Sequence, residues 1–311
     1  MSGYRRIDEH LIRACLAPRV QDSHKGTYGH LLALVGSYGM AGAARFCVEG
    51  AYRCGVGLVT AAVPTEVVTP LTIAVPEALG LPLSAEVRQA EEALTAGLDN
   101  KTAAVIGCGL GKSEYAAALL ERVLPLLEVP TVLDADGINW LAAHTDIRET
   151  VTAPLCLTPH PAEMARLLGC TVAEVQADRR GAARKCADRY AAVVVLKGYQ
   201  TVIASPHEPT VLLNPTGNDG MAVGGSGDVL AGMIASFAAQ GMTVAQAAAC
   251  GVYLHGLAGD AAAAKLSPPG SAPARWKRPV SFSSSCTCAS PSSASSARHR
   301  APMPRRSSFS V

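Results

Sequence analysis

The 311-residue sequence has no apolar run that approaches the length of a membrane span. Its opening segment, MSGYRRIDEHLIRACLAP, contains neither a hydrophobic stretch nor a small-residue cleavage site, so we expect no secretion signal. The ten cysteines show no paired metal-ligand spacing, and the one close pair, Cys286 and Cys288, lies near the C-terminus. Together these absences favour a cytoplasmic protein whose cysteines are buried and reduced.

Acidic residues are missing from the last part of the chain. Residues 267–311 contain seven Lys/Arg and no Asp or Glu, and Ser and Pro dominate them. Sequence of this kind buries too little apolar surface to fold, so we expect a disordered tail. A shifted reading frame near residue 266 or a genuine basic arm would each produce such a tail.

The charge of the remaining chain argues against a nucleic-acid partner. The whole sequence carries a net charge of +2, but residues 1–266 hold 20 Lys/Arg against 25 Asp/Glu, a net charge of −5. A mildly acidic domain lacks the basic surface that phosphate backbones require.

Residues 1–266 alternate between apolar runs and helical segments, and 49% of the sequence is hydrophobic. Strand–helix alternation predicts one α/β domain with a mostly parallel sheet and helices on both faces. Two hairpin-like runs (200–206 and 209–215) precede two Ala-rich helices at about 227–240 and 243–265. The other strands are expected at 30–36, 57–63, 102–107, 130–136, 153–159 and 191–198, and the other helices at 41–54, 84–96, 113–127, 137–143, 161–168 and 172–189.

Polar and glycine-rich runs follow five of the predicted strands. They read VGSYGMAGAA, GCGLG, DADGIN, TPHPAE and KGYQT in chain order. Parallel sheets bind ligands at the carboxyl ends of their strands, so the five runs predict a single cleft.

The run GGSGD at 224–228, followed by an apolar helix, is the clearest indication of a catalytic site in the sequence. The backbone amides of Gly224, Gly225, Ser226 and Gly227 at a helix N-terminus would form an anion hole. Asp228 would stand beside the anion as a general base toward a hydroxyl. The simpler alternative is a glycine-rich turn in which Asp228 caps the helix.

Two glycine- and acid-containing runs are less specific. GCGLGKS at 107–113 is not a Walker A motif, because position 106 is Ile where that motif needs glycine, and we expect Lys112 to be a solvated charge. In LDADGINWL, the acids could hold Mg²⁺ through water, or Asp136 or Asn139 could cap a helix, and both readings stay open.

Two further polar positions are ambiguous from sequence alone. His160 lies between two prolines, where it could contact substrate or play a purely structural part. KGYQT at 197–201 is weak evidence, since Lys-Gly after a strand often marks only a turn.

Taken in order, these motifs resemble the NAD(P)H-hydrate dehydratases of the ribokinase-like superfamily. The resemblance implies a three-layer α/β/α fold and the ADP-dependent dehydration of the S epimer of hydrated NADH and NADPH, with release of AMP and phosphate. The matching segments lie within about residues 25–260 and read KGTYGHLLALVGSYGMAGAA, AYRCGVGLVT, VIGCGLG, VLDADGIN, LTPHPAEMARLLG, VVLKGYQTVI and NPTGNDGMAVGGSGDVLAGMI.

The resemblance also implies roles for individual residues. ADP would be the co-substrate, accompanied by Mg²⁺ whose ligands it does not assign, and Asp228 would be the catalytic base. Cys108 stands where the family often has Pro, and Ser226 where it often has Thr. The adenine nucleotide would be contacted by Lys197, Gly198, Tyr199, Gln200, Thr201 and Gly227, and the hydrated nicotinamide nucleotide by Ala43, Gly109, His160 and Asp228.

The resemblance suggests partners as well. It implies a homo-oligomer, a tetramer in the family, and a separate NAD(P)H-hydrate epimerase, because only a short segment precedes the first matching motif.

Two rival functions share the motifs. A small-molecule kinase for a hydroxymethylpyrimidine or thiazole alcohol would keep Asp228 and the anion hole but release a phosphorylated product, and a nucleotide sensor would bind without turnover.

Overall fold

The computed structural model describes residues 3–146 and 150–266, and these form one continuous α/β unit. The expected tail, the possible change of reading frame and the Cys286–Cys288 pair lie outside the described residues. The strands are β1 (Tyr4–Arg6), β2 (His30–Leu34), β3 (Leu58–Pro64), β4 (Leu79–Leu83), β5 (Ala103–Ile106), β6 (Thr131–Leu133), β7 (Leu155–Leu157), β8 (Val193–Leu196), β9 (Val202–Ala204) and β10 (Val211–Leu213).

The helices that connect and flank these strands vary from one turn and a half to more than six turns. They are α1 (Glu9–Cys15), α2 (Ala41–Arg53), α3 (Thr65–Ala74), α4 (Val87–Gly97), α5 (Glu114–Val123), α6 (Ala135–Ala143), α7 (Pro161–Leu168), α8 (Val172–Ala177), α9 (Arg179–Tyr190), α10 (Ser226–Ala239) and α11 (Val244–Leu266).

The strands form one sheet in the order β1-β10-β9-β8-β7-β6-β5-β2-β3-β4. Neighbours are parallel except where β9 pairs antiparallel with β8 and with β10. The predicted mostly parallel sheet and the hairpin after β8 are therefore confirmed. Because β2, β5, β6, β7 and β8 run side by side in one direction, the turns that follow them meet at one edge of the sheet.

The sheet separates two hydrophobic cores. In β2, Leu31 and Ala33 face one core while Leu32 and Leu34 face the other, as the alternation of side chains along a strand requires. One core is covered by α1, α2, α3, α10 and α11, and the other by α4 to α9. The predicted three-layer α/β/α architecture is confirmed.

Helices α2 and α10 pack closely because both carry glycine at their contact. A Cβ on Gly232 would lie 1.9 Å from the carbonyl oxygen of Cys47, and one on Gly50 would lie 2.7 Å from that of Val229. Neither position tolerates a side chain without moving backbone. This contact fixes the start of α10 against α2 and so positions the glycine-rich turn before it.

Several predicted boundaries are wrong, each for a local reason. The helix expected at 172–189 is two helices, because Asp178 leaves helical geometry and its carboxylate instead caps α9 by accepting from the amide of Gly181. The helix expected at 113–127 ends at Val123, where a 3₁₀ turn containing Pro125 follows. The strand expected at 130–136 ends at Leu133, and α6 begins two residues later.

The cysteines of the described part of the chain agree with the expectation of reduced thiols. Its eight cysteines are all free thiols, six of them buried, namely Cys47, Cys54, Cys108, Cys156, Cys186 and Cys250. Among the described helices there is no candidate membrane span.

Candidate functional site

The glycine-rich turn before α10 adopts a conformation that only glycine accommodates there. Gly225, the N-cap residue, has φ of 89°, and a Cβ on it would lie 2.5 Å from the ring of Phe46. Asp228 lies inside the first turn of α10, so the alternative in which it is the helix cap is wrong. The amide of Ser226 already donates to the carbonyl oxygen of Val223 at 3.3 Å.

The carboxylate of Asp228, which is partly exposed, lies in a small cluster with the buried side chains of Asp134 and Cys108. One ligand atom from each of the three residues lies within 4.8 Å of the others. Burial, and then the neighbouring Asp134 carboxylate, raise the pKa of Asp228 to about 6, against a lowering by the Cys108 thiol and by Lys197. At neutral pH Asp228 is mostly ionised, yet it is a stronger base than an exposed aspartate.

Cys108 is a protonated donor inside this cluster. Its side chain is fully buried, and Sγ lies 3.6 Å from Oδ2 of Asp134. The hydrogen bond with Cys47 and burial raise the pKa of the Cys108 thiol well above its ordinary value. The thiol therefore stays protonated and donates to Oδ2 of Asp134 rather than adding a charge to the cluster.

Asp134 is the centre of a buried polar network at the ends of β6, β7 and β8. It accepts hydrogen bonds at Oδ1 from Thr158 Oγ1 and from Lys197 Nζ, both at 2.6 Å. Lys197 Nζ also lies 3.7 Å from Oε2 of Glu163, which is 4% exposed. Burial would lower the pKa of Lys197, but these two carboxylates outweigh it and raise that pKa, so the ammonium group stays charged.

His160 joins this network from the N-terminus of α7. Nδ1 accepts hydrogen bonds from the amides of Ala162 and Glu163, and Nε2 lies 3.3 Å from Oε1 of Glu163. Burial and then Lys197 lower the pKa of His160, which keeps the ring neutral. His160 thus caps α7 while 47% of its side chain is exposed, and its contact with substrate stays a prediction.

The helix cap that follows β6 is neither of the two residues considered from sequence. The N-cap position of α6 is Asp134, so the helix-cap reading of Asp136 and Asn139 is wrong. Asp136 Oδ2 accepts from the amide of Gly111 at 2.8 Å and Asn139 Oδ1 accepts from Arg166 at 2.7 Å. Lys112 is exposed, as expected for a solvated charge.

A cavity of about 630 Å³ opens beside the start of α10. The segment proposed from the resemblance to contact the nucleotide, Lys197 to Thr201, lines it together with Ser226 and Gly227. The cavity therefore brings together two motifs that are distant in sequence. Gly224 and Gly225 are not among the residues that line it.

The loop from Asn214 to Ala222 also lines the cavity, and α11 holds this loop in place. Oδ2 of Asp260 accepts from the amide of Gly217 and Oδ1 accepts from Asn218 Nδ2, both at 2.9 Å. A Cβ on Gly256 would lie 2.1 Å from Oγ1 of Thr216, so this loop lies directly on the helix. Asp260 was not identified from sequence, because nothing in an Ala-rich helix indicates which loop the Asp260 carboxylate contacts.

Two further lining residues were not identified from sequence. Arg6 reaches the cavity from the edge strand β1, and His255 reaches it from α11. Burial lowers the pKa of His255 to about 4, so the ring is neutral at physiological pH.

Two of the residues expected to face the nicotinamide substrate, Ala43 and Gly109, lie next to each other. A Cβ on Gly109 would lie 2.6 Å from that of Ala43. Ser37 Oγ donates to the carbonyl oxygen of Gly109 at 2.8 Å. Gly109 directly follows Cys108, so this surface adjoins the carboxylate cluster that contains Asp228.

The cluster of Cys108, Asp134 and Asp228 does not fit a protein-held Mg²⁺. Magnesium prefers oxygen ligands, and one of the three donors is a protonated thiol. Lys197 already places a positive charge 2.6 Å from Asp134 Oδ1.

A protein-family model described as NAD(P)H-hydrate dehydratase matches residues 31–277. The chain belongs to the NAD(P)H-hydrate dehydratase family. The match runs past Leu266, to a point outside the described residues. Matching solved structures include a ribokinase-like superfamily protein, in agreement with the fold expected from the sequence.

Curated relatives share this assignment in their names. The chain is 43% identical over 245 residues to an ADP-dependent (S)-NAD(P)H-hydrate dehydratase of Neisseria meningitidis, covering 78% of this chain and 80% of that protein. It is 46% identical over 256 residues to a bifunctional NAD(P)H-hydrate repair enzyme of Moorella thermoacetica, covering 81% of this chain. The match covers 48% of the Moorella protein, so the chain spans about half the length of such relatives.

A solved structure of the dehydratase family also matches the fold. The ADP/ATP-dependent NAD(P)H-hydrate dehydratase of Bacillus subtilis, co-crystallised with ATP/Mg²⁺, is 34% identical to this chain with a TM-score of 0.71. The comparison covers 82% of this chain and 88% of the Bacillus chain.

Proposed function

We propose that this member of the dehydratase family catalyses the ADP-dependent dehydration of the S epimer of hydrated NADH and NADPH. The products are NADH or NADPH, AMP and phosphate. The observation that carries the proposal is the position of Asp228. This basic carboxylate directly follows Gly227, which lines the cavity together with Lys197, and it clusters with Cys108, the residue before Gly109. The name of the Neisseria relative supports ADP as the co-substrate.

In the first step, ionised Asp228 takes the proton of the ring hydroxyl of the hydrate. The hydroxyl oxygen forms a bond to the terminal phosphorus of ADP, and the bond from that phosphorus to the oxygen it shares with the other phosphorus breaks. AMP leaves with that electron pair. This step converts the ring hydroxyl, which would leave slowly as hydroxide, into a phosphate ester. The ester can leave as phosphate, which is a better leaving group.

The transferring phosphoryl group is stabilised by groups at the start of α10. We propose that the amides of Gly224, Gly225 and Gly227, with a smaller share from that of Ser226, bind its oxygens at the positive end of the helix. Lys197 supplies a fixed positive charge nearby, because a Cβ on Gly227 would lie only 3.5 Å from its Nζ.

In the second step, the carbon–oxygen bond of the ring breaks and phosphate leaves with the bonding electrons. The lone pair of the ring nitrogen assists this departure, and loss of a proton from the adjacent carbon restores the dihydropyridine. Ala43, Gly109 and His160 would hold the nicotinamide nucleotide during both steps. We expect Mg²⁺ to enter as the counter-ion of the nucleotide phosphates, as the co-crystallisation of the Bacillus relative with ATP/Mg²⁺ suggests.

The reaction needs a supply of the S epimer. Because hydration of the ring produces both epimers, we propose that an NAD(P)H-hydrate epimerase converts the R epimer in the same repair sequence. Relatives named as bifunctional repair enzymes are consistent with this pairing. A homo-oligomer, a tetramer by family resemblance, stays a prediction that size-exclusion chromatography with light scattering can check.

The proposed function is tested by incubating the purified protein with chemically hydrated NADH and Mg²⁺, and with ADP, ATP or no nucleotide. We expect recovery of the reduced-nicotinamide absorbance with ADP, together with one AMP and one phosphate for each NADH. A stable phosphorylated product with a hydroxymethylpyrimidine or thiazole alcohol, and no recovery of NADH, would instead identify a kinase. Equal recovery without nucleotide would contradict the proposal.

A further inference from the structure

Two positively charged side chains, Lys197 and Arg6, line the cavity beside α10. Lys197 is committed to the protein, since its ammonium group lies within 4.0 Å of both Asp134 and Glu163. Arg6 is exposed and forms no salt bridge within residues 3–146 and 150–266. Its guanidinium group is therefore available to a ligand in the cavity.

Strand pairing places Arg6 at the end of the cavity remote from the start of α10. Arg6 pairs with Leu213, which pairs with Val202, which in turn pairs with Leu196. Three strand spacings of about 4.8 Å each separate Arg6 from the end of β8, which is roughly 14 Å. Lys197 follows directly on that end, next to Gly227.

This separation decides which part of a nucleotide Arg6 meets. If the phosphates of ADP lie at Gly227 and Lys197, as the proposed function requires, the base extends toward Arg6 along the loop from Asn214 to Gly217. A guanidinium group is planar and weakly hydrated, and it stacks on the faces of bases and aromatic rings. A purine offers a larger face than a pyrimidine.

We propose that Arg6 is a specificity residue that stacks on the adenine of the bound nucleotide. This inference rests on the proposed function for the orientation of ADP. Arg6 takes no part in proton or phosphoryl transfer, because it lies remote from Asp228. Its neighbour Arg5 belongs to the same strand and carries the same charge, but it points to the opposite face and does not line the cavity. Arg5 is therefore a matched control.

The test is the affinity for ADP and CDP, measured by isothermal titration calorimetry on the full chain. We compare the wild type with Arg6→Ala, Arg6→Lys and Arg5→Ala. A cation stacked on a ring contributes about 0.5–2 kcal/mol, so we expect Arg6→Ala to weaken ADP binding about 2- to 30-fold. We expect a smaller loss for CDP, little recovery with Arg6→Lys, and wild-type affinity for Arg5→Ala. Steady-state assays should show a raised KM for ADP and an unchanged kcat.

Other outcomes have distinct meanings. If Arg6→Ala binds ADP as tightly as Arg5→Ala does, the inference is wrong. Equal losses for ADP and CDP that Arg6→Lys restores would also overturn it, because Arg6 would then bind phosphate as a point charge. A wild-type protein that binds ADP but does not regenerate NADH would contradict the proposed function instead, and the calorimetric comparison would still decide the role of Arg6.

Discussion

The ammonium group of Lys197 lies 2.6 Å from Oδ1 of Asp134, in a part of the protein where Asp134 is only 1% exposed. This pair neutralises one of the two aspartates that face each other at the start of α10. Without it, Asp134 and Asp228 would be adjacent buried charges of the same sign, and at least one would take up a proton. The base strength of Asp228 therefore depends on Lys197.

Replacing Lys197 by Met should destabilise the protein by about 3–5 kcal/mol, since removal of one partner leaves a buried charge uncompensated. Urea unfolding monitored by circular dichroism measures the change. The exposed Lys112, replaced by Met, is the control and should shift the unfolding free energy by less than about 0.5 kcal/mol. Adding Asp134→Asn to Lys197→Met should recover part of the loss. An unchanged unfolding free energy in Lys197→Met would show that Lys197 does not compensate the buried charge of Asp134.

Asp228→Asn should lower kcat by about 10²–10⁴-fold, because the amide cannot accept the proton of the ring hydroxyl. The same variant should be more stable than the wild type at neutral pH. The pKa of Asp228 is raised to about 6 in the folded state, above its value in the unfolded chain. Protonation of Asp228 therefore stabilises the folded state fully when the pH is below the unfolded pKa, and this stabilisation is lost as the pH rises through about 6. Thermal unfolding of both proteins between pH 4 and pH 8 checks this sign. Near-normal turnover would rule out Asp228 as the base.

The acid side of the pH–rate profile should report the same group. For the wild type, kcat/KM should fall as the pH drops through about 6, since protonated Asp228 is no longer a base. The hydrogen bond with Cys108 lowers the pKa of Asp228, so Cys108→Ala should move this fall to higher pH. Cys108→Ser keeps a donor and should restore the wild-type profile. If the profile of Cys108→Ala matches that of the wild type, Cys108 does not affect the pKa of Asp228.

Gly232→Ala should destabilise the protein by about 1–3 kcal/mol, because its Cβ would lie 1.9 Å from the carbonyl oxygen of Cys47. The matched control is Gly42→Ala in α2, where a Cβ meets nothing within 4 Å. That variant should be neutral or stabilising by up to about 1 kcal/mol, from helix propensity alone. Denaturation midpoints distinguish the two. If both variants behave alike, the close approach of α2 and α10 is not what fixes the start of α10.

The central strands and the cleft were predictable because their signals are local. Continuous apolar runs mark the buried parallel strands, and glycine-rich or polar runs mark their carboxyl ends. The edge strands were missed, since β1 is short and exposed and β4 contains Gly80 and Pro82.

What the sequence could not indicate depends on contacts between distant segments. Asp134 and Lys197 are 63 residues apart, and their pairing depends on the adjacent positions of the strands that precede them. The same holds for Asp260, which reaches across to Gly217, and for Arg6, whose place in the cavity depends on the pairing of β1 with β10. Each of these is a side chain whose role is decided by tertiary structure.

The central claim is that the hydroxyl oxygen of the hydrated ring attacks the terminal phosphorus of ADP. It is tested most directly by preparing hydrated NADH in heavy-oxygen water, transferring it to ordinary water with the protein and ADP, and analysing the phosphate by mass spectrometry. We predict one heavy oxygen in each phosphate and none in AMP. Unlabelled phosphate, with the heavy oxygen released as water, would show that ADP is hydrolysed independently of the ring and would contradict the role assigned to Asp228.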